Sequence, residues 1–171
     1  METKILVAYA SKYGATKEIA ERVGDVLQIC GKQVEILPVN GISDVTPYAA
    51  VILGSAIYVG KWPKEAEVFL KANEKCLAER PVWLFSSGPT GEGDSVALVD
   101  GKCVPTTLRA TIDRIKPCDI TVFHGNINLE KINAMEKWAV KSVVKKPFGD
   151  FRDWNSIVRW SNEIAAAMKD E

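Results

Sequence analysis

The sequence contains one histidine, His124, and four cysteines, Cys30, Cys76, Cys103 and Cys118, none of them in a CxxC pair. That scarcity excludes the usual zinc sets and argues against an iron–sulfur cluster. A lone histidine supports no Ser-His-Asp or Cys-His arrangement, and no pair of acids marks glycoside chemistry. No GxxxxGK[ST] run is present, which argues against a P-loop hydrolase. No GxGxxG follows the first apolar run, which argues against the usual dinucleotide fingerprint.

Net charge is also missing. Lysine plus arginine number 22, and aspartate plus glutamate 22. The balance favours no nucleic-acid partner, and it gives no global acidic field to steer the chain onto basic partners. No stretch reaches the roughly 18 consecutive apolar residues that mark a spanning helix. The sequence opens directly into Lys4–Tyr9 without a charged leader and apolar core, so the expectation is a cytoplasmic chain with reduced, mostly buried thiols. A length of 171 residues suits a single domain, residues 1–171.

What is present is an alternation of short apolar runs with amphipathic helical patterns. Strands are expected at 4–9, 33–39, 50–54, 81–85 and 119–123. Between them lie helices near 15–29, 63–77 and 106–115. Ile19, Ala20, Val23, Val26 and Leu27 recur at three- and four-residue spacings on one helical face. Pro38 suggests an edge position for the second strand. The nearly continuous apolar run Ala50–Gly54 suggests a central strand covered on both faces. A last helix begins near Asp153, with Ile157, Trp160, Ile164 and Met168 on one side. Five strands with intervening helices argue for a parallel α/β sheet, whose ligands sit outside the carboxyl ends of the strands.

Three of those strand ends lead into loops suited to a ligand. In the first, Ser11-Lys12-Tyr13-Gly14-Ala15-Thr16, two hydroxyls flank a glycine that lets backbone amides approach an anion. The helix that follows adds its free N–H groups and dipole, and Lys12 can add charge from the rim. A monophosphate fits; so does a plain capping role for Ser11 or Thr16. In the second, Gly54–Pro63, Tyr58 and Trp62 can stack on a planar ring, Ser55 and Ala56 leave room, and Gly60 allows a tight path. Trp62 equally suits packing against the next helix. The third, Ser86–Asp94, offers amides and hydroxyls to a heterocycle or is a solvent loop. His124 is either structural or a proton relay.

Residues 126–150 are less regular; helical character is expected over Leu129–Val144, and Lys146-Pro147-Phe148-Gly149-Asp150 breaks it. Lys137, Lys141 and Lys145 are four apart and share a helical face, and Lys146 adds charge. Ile132, Met135, Trp138, Val143 and Phe148 supply apolar surface nearby. A basic amphipathic segment over 131–148 can meet an anionic membrane surface or an acidic partner. Alternatively its apolar residues pack into the domain, or it shapes a substrate entrance beside the strand ends.

The run Tyr9-Ala10-Ser11-Lys12-Tyr13-Gly14-Ala15-Thr16 resembles the flavodoxin-like superfamily. Gly54-Ser55-Ala56-Ile57-Tyr58-Val59-Gly60, the Pro63 helix with Phe69, and Phe151-Arg152-Asp153-Trp154 resemble the flavodoxin-domain proteins related to menaquinone-dependent protoporphyrinogen dehydrogenase. This resemblance implies a flavodoxin-like three-layer sandwich with strand order 2-1-3-4-5 and noncovalent flavin mononucleotide (FMN). Ser11, Tyr13, Gly14, Ala15 and Thr16 would surround the phosphate. Ser55, Ile57, Tyr58, Gly60 and Trp62 would line one side of the ring, and Ser87, Gly88, Pro89, Thr90 and Gly91 would complete the pocket. The third loop carries no aromatic, which leaves room for a substrate or quinone above the ring. The expected function is FMN-dependent electron transfer between a reduced donor and a quinone or protein acceptor. The alternatives are a protoporphyrinogen IX dehydrogenase, which brings a small-molecule substrate and contact with the inner face of the membrane, and a non-redox phosphate- or nucleotide-binding module.

Overall fold

The computed structural model describes residues 3–144 and 147–168. Its elements in chain order are β1 (Lys4–Ala10), α1 (Ala15–Ile29), β2 (Gln33–Pro38), β3 (Ala50–Ala56), α2 (Lys64–Ala72), α3 (Glu74–Leu77), β4 (Val82–Ser87), α4 (Ser95–Leu98), α5 (Arg109–Ile115), β5 (Asp119–Phe123), β6 (Asn126–Ile127), α6 (Ala134–Ala139), a π-helical turn (Val140–Val144), β7 (Gly149–Asp150) and α7 (Trp154–Ala167). Strands β1–β5 form one parallel sheet in the order β2-β1-β3-β4-β5, the flavodoxin-like arrangement expected from the sequence.

Strand alternation sorts the core into two layers. Leu6, Ala8, Val51, Leu53, Val82 and Leu84 face α2, α3 and α5. Ile5, Val7, Ile52, Trp83 and Phe85 face α1 and α7. All of β3 is buried, as its apolar run predicts, and β2 with Pro38 lies at the edge. Phe85, Phe123 and Trp160 pack with ring centroids 5.5–5.8 Å apart. Gly54 makes room for them, since a methyl there would lie 2.0 Å from Phe85 Cζ.

Two expectations change. The helix expected over 63–77 breaks at Asn73 into α2 and α3. The thiols are not mostly buried: Cys30 and Cys118 are exposed and Cys76 and Cys103 half-buried, all free. Lys145 and Lys146 lie outside the described residues. Among those described, no helix is long and apolar enough to cross a membrane.

Residues 124–153 leave the sheet and return to it. β6 and β7 pair antiparallel, Asn126 with Asp150 and Ile127 with Gly149, so the chain between them is an excursion with a closed base. Asn133 starts α6 with a reciprocal capping box: its Oδ1 accepts from Glu136 N at 2.8 Å, and its own N–H donates to Glu136 Oε2 at 3.1 Å. The excursion lands on the ends of β1, β3 and β4 and so helps build the site.

Candidate functional site

Parallel register brings Ala10, Ser55 and Ser86 side by side, with Ser87 opposite Phe123. The loops beyond continue that stitching. Ile57 N donates to Ser87 O at 2.8 Å, Gly88 N to Phe123 O at 3.3 Å, and Gly125 N to Pro89 O at 2.8 Å. The loops approach too closely for side chains. A methyl on Gly88 would lie 2.6 Å from Ile57 O, and one on Gly125 would lie 2.7 Å from Gly88 Cα. Beside them opens a cavity of about 400 Å³, within the roughly 300–1,000 Å³ of small-molecule sites.

The cavity is lined by Lys12, Tyr13, Ala15 and Thr16 from the first loop, Ala56–Val59 from the second, and Ser87 and Gly88 from the third. The excursion completes it with Gly125, Asn126, Ile127, Asn128, Ile132, Glu136, Ala139 and Val140. Ser11, Gly14, Ser55, Gly60, Trp62, Pro89, Thr90 and Gly91 are not on its wall. Ser11 Oγ accepts from Gly14 N at 3.0 Å and shapes the first loop. Gly14, at φ 93°, turns the chain into α1. Ser55 is buried and donates to Ala56 O. Trp62 is 4% exposed, belongs to the core, and donates its indole N–H to Ser86 Oγ at 2.9 Å. Thr90 Oγ1 is buried without a partner among the described residues. His124 and Asp94 instead line a groove with Asp153, Arg159 and Glu163, and Asp94 caps α4 by accepting from Ala97 N.

The first turn of α1 leaves the amides of Ala15, Thr16 and Lys17 without intrahelical acceptors, the arrangement that favours an anion. Thr16 Oγ1 and Ser87 Oγ share a 2.7 Å hydrogen bond across the buried floor. Tyr58 and Lys61 exchange backbone bonds of 2.8 and 2.9 Å, forming a tight turn. Its central residues, Val59 and Gly60, have φ 49° and 71°, as a type I′ turn requires. For β-branched Val59 this is strained backbone, and it holds the side chain at the cavity mouth, 76% exposed.

Ion pairs fasten the excursion over this floor. Lys12 Nζ meets Glu136 Oε1 at 2.5 Å and stands 5.0 Å above the Tyr13 ring. Lys12 and Tyr13 hydrogen bonds hold the Glu136 carboxyl down at about 2, and the Glu136 bond raises Lys12. Burial, then the bond to Glu136, pushes the Tyr13 phenol up. At the other end Arg152, its side chain 6% exposed, bonds Asp150 at 2.8 Å and Glu18 at 2.5 Å, and it lies 4.7 Å from the Trp154 ring. The sequence signal for Glu136 was the Asn133-x-x-Glu136 capping pattern; it marks a helix start and nothing about Lys12.

Residues 6–153 match the flavodoxin domain family. Over 95% of this chain and 94% of the relative, the sequence is 22% identical to a protoporphyrinogen IX dehydrogenase [quinone] of Escherichia coli strain K12. Among solved structures, a flavodoxin from the domain Archaea aligns with a TM-score of 0.63 at 16% identity, covering 98% of this chain and all of that one (100%). Oxidised flavodoxin 1 from Bacillus cereus aligns with a TM-score of 0.63 at 14% identity, with coverage of 98% and 100%. The chain belongs to the flavodoxin domain family.

Proposed function

We propose that this chain binds FMN noncovalently and moves electrons through it between a reduced donor and a quinone or protein acceptor. The observation that carries the reading is the cavity itself. It lies at the carboxyl ends of β1, β3 and β4, where strand order reverses and ligands of such sheets bind. The residues fit the cofactor: Gly88 and Gly125 let the loops close side by side beneath the cavity, and the first turn of α1 offers free amides for a phosphate. Ala15 and Thr16 would hold the phosphate. Tyr58 and Ile57 would flank one side of the ring, and Ser87 and Gly88 the other. Bound FMN would accept and release one or two electrons at its ring. The protein's part is to orient that ring, and Ile127, Ile132, Ala139 and Val140 shield it from water. An anaerobic reductive titration followed by absorption tests the reading; a protein that takes up no FMN after reconstitution overturns it.

A second reading rests on the excursion and on the 22% identity to the E. coli dehydrogenase. Protoporphyrinogen IX would then be the donor and a quinone the acceptor. Met135 and Trp138 stand 79% and 63% exposed on α6, beside Lys137 and Lys141, and would meet the inner face of a membrane. Quinone-dependent protoporphyrinogen oxidation, with sedimentation on anionic vesicles that Trp138→Ser weakens, separates this reading from simple electron carriage.

A further inference from the structure

The first loop carries one cation at its rim, Lys12, the obvious candidate to neutralise a bound phosphate. The fold commits that cation elsewhere. Lys12 Nζ is 2.5 Å from Glu136 Oε1 and covers the Tyr13 ring, so its charge is already matched. A second ammonium stands at the loop instead. Lys131, in the turn before α6, places Nζ 3.4 Å from Tyr13 O. A methyl built on Gly14, the cap residue of α1, would lie 3.9 Å from the same nitrogen. Among the described residues no carboxylate oxygen comes within 4.0 Å of Lys131 Nζ.

We infer that Lys131 binds the phosphate of FMN, so that preference for the phosphorylated flavin comes from the excursion rather than from the loop that cradles it. The inference rests on the FMN reading and deepens it. The α1 amides alone offer a field that falls off within one turn. An unmatched ammonium beside them adds a charge-assisted hydrogen bond to a dianion. Its single weak contact to the Tyr13 carbonyl is easily exchanged for a phosphate oxygen, because the lysine stem is flexible and its three donors rotate. The excursion is fastened at both sides of the loop, by Lys12–Glu136 and by Arg152–Glu18. Lys131 is therefore held near the loop before any ligand arrives.

The test compares FMN with riboflavin, which lacks the phosphate, by flavin fluorescence on flavin-free protein. Lys131→Met is expected to weaken FMN about tenfold and leave riboflavin unchanged. Lys131→Arg is expected to retain most of the FMN preference, and Lys12→Met to shift both flavins alike. In the unaltered protein, added salt is expected to narrow the gap between the two flavins; in Lys131→Met it does so much less. Equal loss of both flavins, or of neither, in Lys131→Met overturns the role of Lys131 while leaving FMN binding in place. Should the Met variant fail to fold by circular dichroism, a Lys131→Arg variant with no FMN preference, or a salt-insensitive gap in the parent, overturns it. An unaltered protein that takes up neither flavin rejects the FMN reading itself and this inference with it.

Discussion

Lys12 and Glu136 are 124 residues apart in the chain, and their side chains meet at 2.5 Å across the mouth of the cavity. The same carboxylate closes the capping box of α6 through its other oxygen. One acid therefore starts the helix and ties it to the first loop. Both partners keep partial solvent contact, so salt screens the pair. Lys12→Met and Glu136→Gln are each expected to quicken amide exchange over 134–139, and salt to move the unaltered protein toward the variants. Unchanged exchange in both variants would show that the pair does not hold the helix.

The pair has a defined pH range. Glu136 is held at about 2 against an ordinary 4.5. Its contribution is therefore complete above the ordinary value and disappears as pH falls through about 2. Lys12 is raised above its ordinary 10.5, so its contribution is complete below that value and is lost as pH rises through the raised one. Docking of α6 is expected to be flat between about pH 5 and 10 and to fail in acid. Tryptophan fluorescence against pH, with Glu136→Gln as the reference that lacks the acid limb, checks this.

Two glycines separate stability from site geometry. Gly54→Ala sets a methyl 2.0 Å from Phe85 Cζ, in a ring cluster closed by Phe123 and Trp160. It is expected to cost about 3 kcal/mol in denaturant unfolding. Gly125→Ala sets a methyl 2.7 Å from Gly88 Cα, drives the excursion's base away from Gly88, and is expected to weaken flavin uptake proportionately more than it lowers stability.

Tyr58 and Trp62 can be told apart by spectroscopy. Trp62→Phe removes the donor to buried Ser86 Oγ and is expected to cost about 1–2 kcal/mol while leaving the bound flavin spectrum unchanged. Tyr58→Ala, on the cavity wall, is expected to alter that spectrum and the ring's fluorescence quenching with little loss of stability.

Val59 holds φ 49°, a conformation a β-branched residue adopts at a cost of about 1 kcal/mol or more. Val59→Gly is expected to raise the thermal midpoint while weakening flavin binding, because the apolar cover at the mouth is lost. Calorimetry and a flavin titration on the same variant measure both effects.

The first loop and the strand ends were legible because they depend on local rules. Apolar runs give strands, three-and-four spacing gives α1, and Gly14 gives the left-handed turn at its cap. Lys12, Tyr13, Ala15, Thr16, Ala56, Ile57, Tyr58, Ser87 and Gly88 line the cavity. Trp62 was readable only as two alternatives. A strand-end aromatic faces ligand or core according to a turn geometry set by Val59 and Gly60. Val59 itself carried no signal, since a valine is not expected at positive φ.

The sequence by itself determined the sheet, its two buried faces and the left-handed turn at Gly14, because periodicity and glycine chemistry act over a few residues. Only the tertiary structure decided what covers the cavity. The excursion is short of regular pattern, and its lining residues reach the site through the β6–β7 pairing, Lys12–Glu136 and Arg152–Glu18. The two ion pairs join residues more than a hundred positions apart, a distance at which charge and spacing in the sequence carry no information about which groups meet. For that reason the sequence assigned the rim charge to Lys12, and the fold matched Lys12 with Glu136 and set Lys131 beside Gly14.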